Sequence, residues 1–205
     1  MTVRNYIVGQ FKKPHGAVGH LAGWIMANRL SNRERNAWTI GLLDIQPDSR
    51  ILEIGCGPGL ALAMCAKRLK TGKVVGLDHS QTILHQARQR NVHFSKTGLV
   101  ELHHGGLETL AELDGPFDKV FSANVAQFFP DKAEAFAAVF EVTAPGGLVA
   151  STFQPRSKNP TRQAAIKFAK DAERCMTLVG FEEIRTEELP LDPVPAVCVL
   201  GIRPH

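Results

Sequence analysis

Short apolar runs alternate with longer amphipathic segments from about residue 50 to the end of the chain. The runs Ile51-Leu52-Glu53-Ile54, Val74-Val75-Gly76-Leu77 and Leu148-Val149-Ala150 are of strand length and lie between Gly, Pro or Asp residues. With their neighbours they predict strands at Arg50–Ile54, Lys73–Leu77, near Val100–His103, Lys119–Ala123, Leu148–Phe153, Glu183–Leu189 and Ala196–Ile202. Between them the apolar period lengthens to that of a helix. Leu60–Lys70 is predicted helical, with Gly72 as its stop signal. Ser80 and Asp131 are predicted to cap helices running to about Arg90 and Val142, and Arg162–Leu178 is a further helix. Ahead of the first strand, Val18, Leu21, Ala22, Ile25 and Met26 give helical spacing to His15–Leu30. Ser31-x-x-Glu34 reads as a capping box starting a second helix to about Leu43, and Pro47-Asp48-Ser49 is a turn.

This alternation predicts an α/β fold: a doubly wound, mainly parallel seven-stranded sheet with helices on both faces. Only Pro190–Pro195 separates the last two strands, too little for a crossover helix, so they are expected to form an antiparallel hairpin at one edge. In such sheets ligands bind beyond the carboxyl ends of the strands, where the strand order reverses.

The chemistry concentrates at the end of the first strand. Gly55, Gly57 and Gly59 alternate through Gly55-Cys56-Gly57-Pro58-Gly59, and the helix-favouring Leu60–Ala66 follows. Glycines there permit a tight turn and let a ligand approach bare backbone. Asp78 ends the next strand, where a carboxylate is placed to accept both hydroxyls of a ribose. The pair points to an adenosine-bearing ligand. A nicotinamide fingerprint wants a third glycine one residue later, where Leu60 stands, and Pro58 lacks a backbone donor.

Glu53-x-Gly55-x-Gly57-x-Gly59 resembles the first motif of the class I S-adenosylmethionine-dependent methyltransferases. Asp78 resembles their ribose-binding acid, Phe117–Asn124 their fourth strand, Ala144-Pro145-Gly146-Gly147 the turn before their fifth, and Gly180-Phe181 the turn before their sixth. The resemblance covers about Asp44 to Leu200 and is nearest to small single-domain enzymes related to quinone and lipid methyltransferases. It implies S-adenosylmethionine as cofactor and S-adenosylhomocysteine as product. It also implies a cofactor rim of Glu53, Gly55, Cys56, Gly57, Gly59, Asp78, His79, Gly106, Leu107 and Asn124. Two segments depart from the family. Gly105-Gly106-Leu107 stands where an acid often meets the adenine amine, and Val125-Ala126-Gln127-Phe128-Phe129 replaces a frequent histidine motif.

Composition narrows the reading little. At 205 residues, 44% hydrophobic and 21% charged, the chain is sized and balanced for one soluble domain. Cys56, Cys65, Cys175 and Cys198 show no metal-ligand spacing and read as thiols of a reducing compartment. The longest uncharged stretch around the glycines falls short of the roughly 20 residues a membrane span needs, and no signal-peptide core opens the chain, so a cytoplasmic location is expected. Charge changes the picture more. The whole net charge of +4 lies within residues 1–50, where seven bases face three acids. A solvated helical face and attraction to an anionic membrane surface or substrate both fit. Nucleic acid is disfavoured, with no dense basic run and no aromatic–basic interleaving.

On the acceptor side, Gln127, Phe128 and Phe129 follow the fourth strand and are expected in the substrate pocket with Tyr6, the single tyrosine. Gln154–Thr161 is too short for a substrate subdomain, so residues 1–45 are expected to form a helical lid over a cofactor domain at 46–205. His103 and His104, ending the third strand, are candidates for a general base, needed only where the acceptor is protonated. No acidic or histidine cluster suggests a metal. The expected function is methyl transfer to a nitrogen, oxygen or sulfur of a small organic molecule, with a phospholipid or quinone head group at a membrane surface as the alternative. A nicotinamide-dependent reductase and a non-catalytic nucleotide-binding module are the readings from other classes.

Overall fold

The structure is a computed structural model and describes residues 30–157 and 159–205. Seven strands form one sheet: β1 (Arg50–Ile54), β2 (Lys73–Asp78), β3 (Val100–His104), β4 (Phe117–Ala123), β5 (Thr143–Phe153), β6 (Glu182–Leu189) and β7 (Ala196–Ile202). Their order is β3-β2-β1-β4-β5-β7-β6. The strands from β3 to β5 pair in parallel, while β7 is antiparallel to both β5 and β6. The expected fold, edge hairpin included, is the observed one. The order reverses between β1 and β4, so the crevice for a ligand opens at the carboxyl ends of β1, β2 and β4.

Helices α1 (Leu30–Leu42), α2 (Leu60–Ala66), α3 (Gln81–Arg90), α4 (Val92–Lys96), α5 (Lys132–Val142) and α6 (Arg162–Val179) cover the sheet. Strand alternation divides the core into two layers. Leu52, Ile54, Val75, Leu77 and Val120 pack with Phe136, Phe168, Ala172 and Met176 of α5 and α6. Ile51, Val74, Phe121 and Ala150 pack with Ile40, Leu62 and Leu84 of α1, α2 and α3. The expected caps hold: Ser80 Oγ accepts from Ile83 N, and Asp131 Oδ1 from Ala133 N and Glu134 N. Gly180, in the turn before β6, also ends α6 in a left-handed conformation.

Several elements differ from the sequence expectation. Leu30 is already helical, so Ser31 lies inside α1, and its hydroxyl accepts from Arg156 Nη2 at 3.1 Å. Helix α2 stops at Ala66, short of Lys70: Arg68 N and Leu69 N turn back to the carbonyls of Cys65 and Ala66, and the Pro47 carbonyl then accepts from Lys70, Thr71 and Gly72 N. Ala144–Gly147 is a kink within β5: Thr143 still pairs with Phe117, and Gly146 N and Gly147 O bond Arg203. Helix α4 and two 3₁₀ turns, Leu107–Glu112 and Ala126–Phe128, had no sequence signal. The expected helix His15–Leu30, Tyr6 and most of the expected lid lie outside the described residues.

Candidate active site

The turn after β1 takes its shape from three left-handed residues, Gly55, Gly57 and Gly59, at φ 69°, 53° and 75°. Two of them face different surroundings. A Cβ at Gly59 would stand 2.4 Å from Asn91 Nδ2 and 3.0 Å from Ala87, so the end of α3 packs onto bare backbone there. A Cβ at Gly57 would meet nothing within 4 Å. Position 59 is therefore closed by the fold, and position 57 presents its backbone to open space.

Asp78, at the tip of β2, is nearly buried at 8% exposure. Its Oδ2 accepts from Gly57 N at 2.9 Å and its Oδ1 from Ser80 N at 3.0 Å. These two bonds fasten the carboxylate to the glycine turn and leave its remaining lone pairs for a ligand. Glu53 lies deeper, on β1. One oxygen takes a bond from Leu62 N, while Oε2 is buried and has no partner. Burial pushes this carboxyl well above the usual carboxylate range, and the charge of Asp78 adds to the effect. Glu53 thus combines a buried, unsatisfied oxygen with a second carboxylate nearby, and both burial and Asp78 favour its neutral form. Cys56 is buried, and its thiol is pushed up by burial first, then by Glu53 and Asp78, so it is no nucleophile.

On the rim beside β2, Gly106 N donates to Glu108 Oε1 at 2.9 Å, and Leu107 packs against the core. The His79 side chain is half exposed, 4.0 Å from Asp78. Neither histidine of β3 stands free. His103 Nε2 lies 2.5 Å from Glu101 Oε1, Lys73 Nζ pairs with the other oxygen, Oε2, and exposed His104 lies 3.2 Å from the His79 carbonyl. After β4, Asn124 adopts φ 59°. Its side chain is fully engaged across to β5, accepting from Gln154 N at 2.8 Å and donating to Gln154 O at 3.1 Å. Gln127 Nε2 donates to the Asn124 carbonyl, while its amide oxygen is buried and unpartnered. Phe128 is half exposed, and Phe129 packs against the core. Sequence reasoning missed Gln154 and Arg35, both buried. The sequence distance of 119 residues between them hides a contact between Arg35 Nη1 and Gln154 Oε1 at 3.2 Å.

Comparison with known proteins decides what this rim belongs to. The family model of a methyltransferase domain matches residues 51–147. YdaC, an uncharacterized methyltransferase of Bacillus subtilis, is 31% identical over 184 residues, 90% of this chain and 98% of YdaC. The chain belongs to the class I S-adenosylmethionine-dependent methyltransferases. It is therefore an enzyme of that type. The trans-aconitate 2-methyltransferase of Variovorax paradoxus is 29% identical over 143 residues, 70% of this chain and 53% of that one. The N-methyltransferase NodS from Bradyrhizobium japonicum, crystallised with S-adenosylhomocysteine, shares the fold with a TM-score of 0.70 at 17% identity, over 89% of this chain and 92% of that one. In this methyltransferase, no group of three or more metal-ligand side chains converges among the described residues. No described helix is long and apolar enough to cross a membrane.

Proposed function

We propose that the glycine turn, Asp78 and Glu53 hold S-adenosylmethionine, and that the enzyme methylates a small organic acceptor beyond β4 and β5. The observation that carries this reading is the Asp78 carboxylate, buried, pinned to Gly57 N at 2.9 Å, and adjoining the one glycine of the turn open to a ligand. In this reading Asp78 accepts the ribose hydroxyls, Gly57 offers its backbone, and the orphaned Glu53 oxygen faces the cationic amino-acid end. Gly106 and Leu107 flank the adenine side with Glu108 as the nearest carboxylate. The cofactor supplies an activated methyl on a sulfonium. The protein's part is to align the acceptor and exclude water, a contribution that reaches roughly 7–11 kcal/mol for well-oriented reactants.

The acceptor reading rests on the segment after β4. The unsatisfied Gln127 oxygen and the exposed Phe128 ring give a polar contact beside an apolar wall. His103 and His104 are both turned to other partners, so neither is assigned as a base. Among relatives, one is named for trans-aconitate, a carboxylate-bearing acceptor. Another, the demethylmenaquinone methyltransferase of Bacillus cereus, is 32% identical over 129 residues, 61% of this chain and 54% of that one. The chain spans about half the length of these two, and a soluble anionic acceptor is favoured over a quinone by the arginines described below. In this reading residues 1–45 form the lid, and the part ahead of α1, residues 1–29, carries four bases and no acid.

Calorimetric titration tests the cofactor. S-adenosylmethionine and S-adenosylhomocysteine should bind, and NADH should not. Heat with NADH alone would overturn the reading.

A further inference from the structure

Beyond the end of β5, between the start of α1 and the β6–β7 link, lies a cavity of about 530 Å³, lined by Leu30, Ser31, Gln154, Arg156, Asp192 and Pro193 among others. That volume suits a small molecule. Its inner wall is Gln154, whose side chain is 1% exposed and saturated. Gln154 Nε2 donates to the carbonyls of Asp192 and Val194, and Oε1 accepts from two guanidinium groups. Arg156 Nη2 donates to it at 2.9 Å from the cavity side, and Arg35 Nη1 at 3.2 Å from behind.

Two like charges meeting at one neutral amide oxygen is a costly arrangement. Arg35 is 3% exposed, Nη2 bonds Asn32 Oδ1, and Nε is buried without a partner. No carboxylate pairs with Arg35 among the described residues, and residues 1–29 contain no Asp or Glu to supply one. Burial first, and then Arg156, lowers the Arg35 guanidinium to about 9. Among the described residues the cavity wall carries one base, Arg156, and one acid, Asp192, and the excess positive charge is that of Arg35 behind Gln154. Arg156 lines the cavity, and its Nη2 is held by Ser31 Oγ at 3.1 Å and by Gln154 Oε1 at 2.9 Å, which fixes the guanidinium on the wall. Gln154 is also the residue clamped to Asn124, which ties the cavity to the rim where the methyl would be transferred.

We infer that the methyl acceptor carries an anionic group, a carboxylate or a phosphate monoester, and that Arg156 binds this group in the cavity while Arg35 acts through Gln154 as a positioning charge. This rests on the methyltransferase reading for the cavity's role as acceptor site.

The test uses the full chain and calorimetry with glutarate, benzoate and glycerol 3-phosphate against the neutral glutaramide, benzamide and glycerol, with and without saturating S-adenosylhomocysteine. One or more of the acids should bind, with every neutral partner at least about tenfold weaker, and the carboxylate and phosphate arms identify which oxyanion fits. R156Q should lose about tenfold or more in acid affinity, R156K should recover part of it, and S-adenosylhomocysteine affinity should hold in both. R35Q should also weaken acid binding while melting no lower than wild type, because it removes a buried unpaired charge; a merely structural Arg35 would lower the melting temperature and leave acid affinity alone. Binding of S-adenosylhomocysteine with no acid bound, equal binding of acids and neutral partners, or acid affinity unchanged in R156Q would overturn the inference. Acid binding by a chain that does not bind S-adenosylhomocysteine would remove the acceptor role and sink the methyltransferase reading instead.

Discussion

Glu53 and Asp78 are both buried acids, yet only Asp78 has a bond to each oxygen, and this difference makes separate predictions. Asp78→Ala removes a charged acceptor from the ribose and should weaken S-adenosylhomocysteine binding by roughly 1.5–3 kcal/mol, read by calorimetry. Unchanged affinity would remove the ribose assignment. For Glu53 the folded-state carboxyl sits above its ordinary value of 4.5, so the folded chain holds this proton more tightly than the unfolded chain. Its contribution to stability is complete below that ordinary value and is lost as pH rises through the raised one. Glu53→Gln should therefore match wild-type melting in acid and melt higher at neutral and alkaline pH. A cationic ligand favours the ionised form, so cofactor affinity should rise with pH across the same window, with proton release on binding. Titration in buffers of different ionisation heat reads that release, and Glu53→Gln should abolish it. The same small release in wild type and variant would show that Glu53 does not face the cationic end.

At the scale of elements, the end of α3 shapes the glycine turn after β1. Asn91 is fully buried, and its Nδ2 donates to the Gly59 and Ala87 carbonyls, both at 2.9 Å. It ties the third helix to the first βα turn at Gly59, two residues from the open backbone of Gly57. This separates the roles of two glycines. Gly59→Ala meets Asn91 and Ala87 and should lower the melting temperature by several degrees, at about 2–4 °C per kcal/mol for a chain of this size. Gly57→Ala has open space and should cost the fold only the strain of its positive φ, about 1 kcal/mol, while affinity for the cofactor falls at least as far. Thermal melts beside calorimetry decide it. Equal effects of the two substitutions on melting and on binding would mean that the turn carries no ligand-facing side.

For the whole molecule, a ligand that binds only the folded state raises its stability by mass action. S-adenosylhomocysteine at a hundred times its Kd should add about 2.7 kcal/mol, and NADH nothing. The basic residues ahead of α1 belong to this scale as well. Helix α1 itself is anchored, with Ile40 in the core and its carbonyl bonded by Arg68 Nη1 at 2.6 Å. Deleting residues 1–14 should thus leave melting nearly unchanged and reduce turnover strongly, as removal of a lid does. Full activity after deletion would overturn the lid. Anionic liposomes at low salt provide the other arm: binding that fades above about 0.15 M salt would assign the charge to a membrane surface.

The fold was legible because its signals are local. Alternating strands and helices, Ser80 and Asp131 at helix starts and the short Pro190–Pro195 link each state a preference that neighbouring residues do not contradict. The glycine turn and Asp78 were legible for the same reason: tight turns need residues free of Cβ, and a strand end fixes where a carboxylate stands. Boundaries were less so. Helix α2 ended early where Arg68 N and Leu69 N turn back to Cys65 and Ala66 and a distant carbonyl, Pro47, accepts the N–H groups that follow, and Ser31 was displaced from its capping position because the helix already included Leu30. The histidines of β3 and the amide of Asn124 looked available in sequence and are occupied in space by Glu101, His79 and Gln154. By itself, then, the sequence determined the α/β architecture and the glycine turn with Asp78 at the neighbouring strand end, since these depend on period and spacing along one stretch of chain. Only the tertiary structure decided that Gly59 is closed and Gly57 open, that Glu53 keeps an unsatisfied oxygen, and that Arg35 and Arg156 converge on Gln154 from opposite sides. Each of those facts is a contact between segments far apart in sequence, and no periodicity records which buried charge is left without a partner.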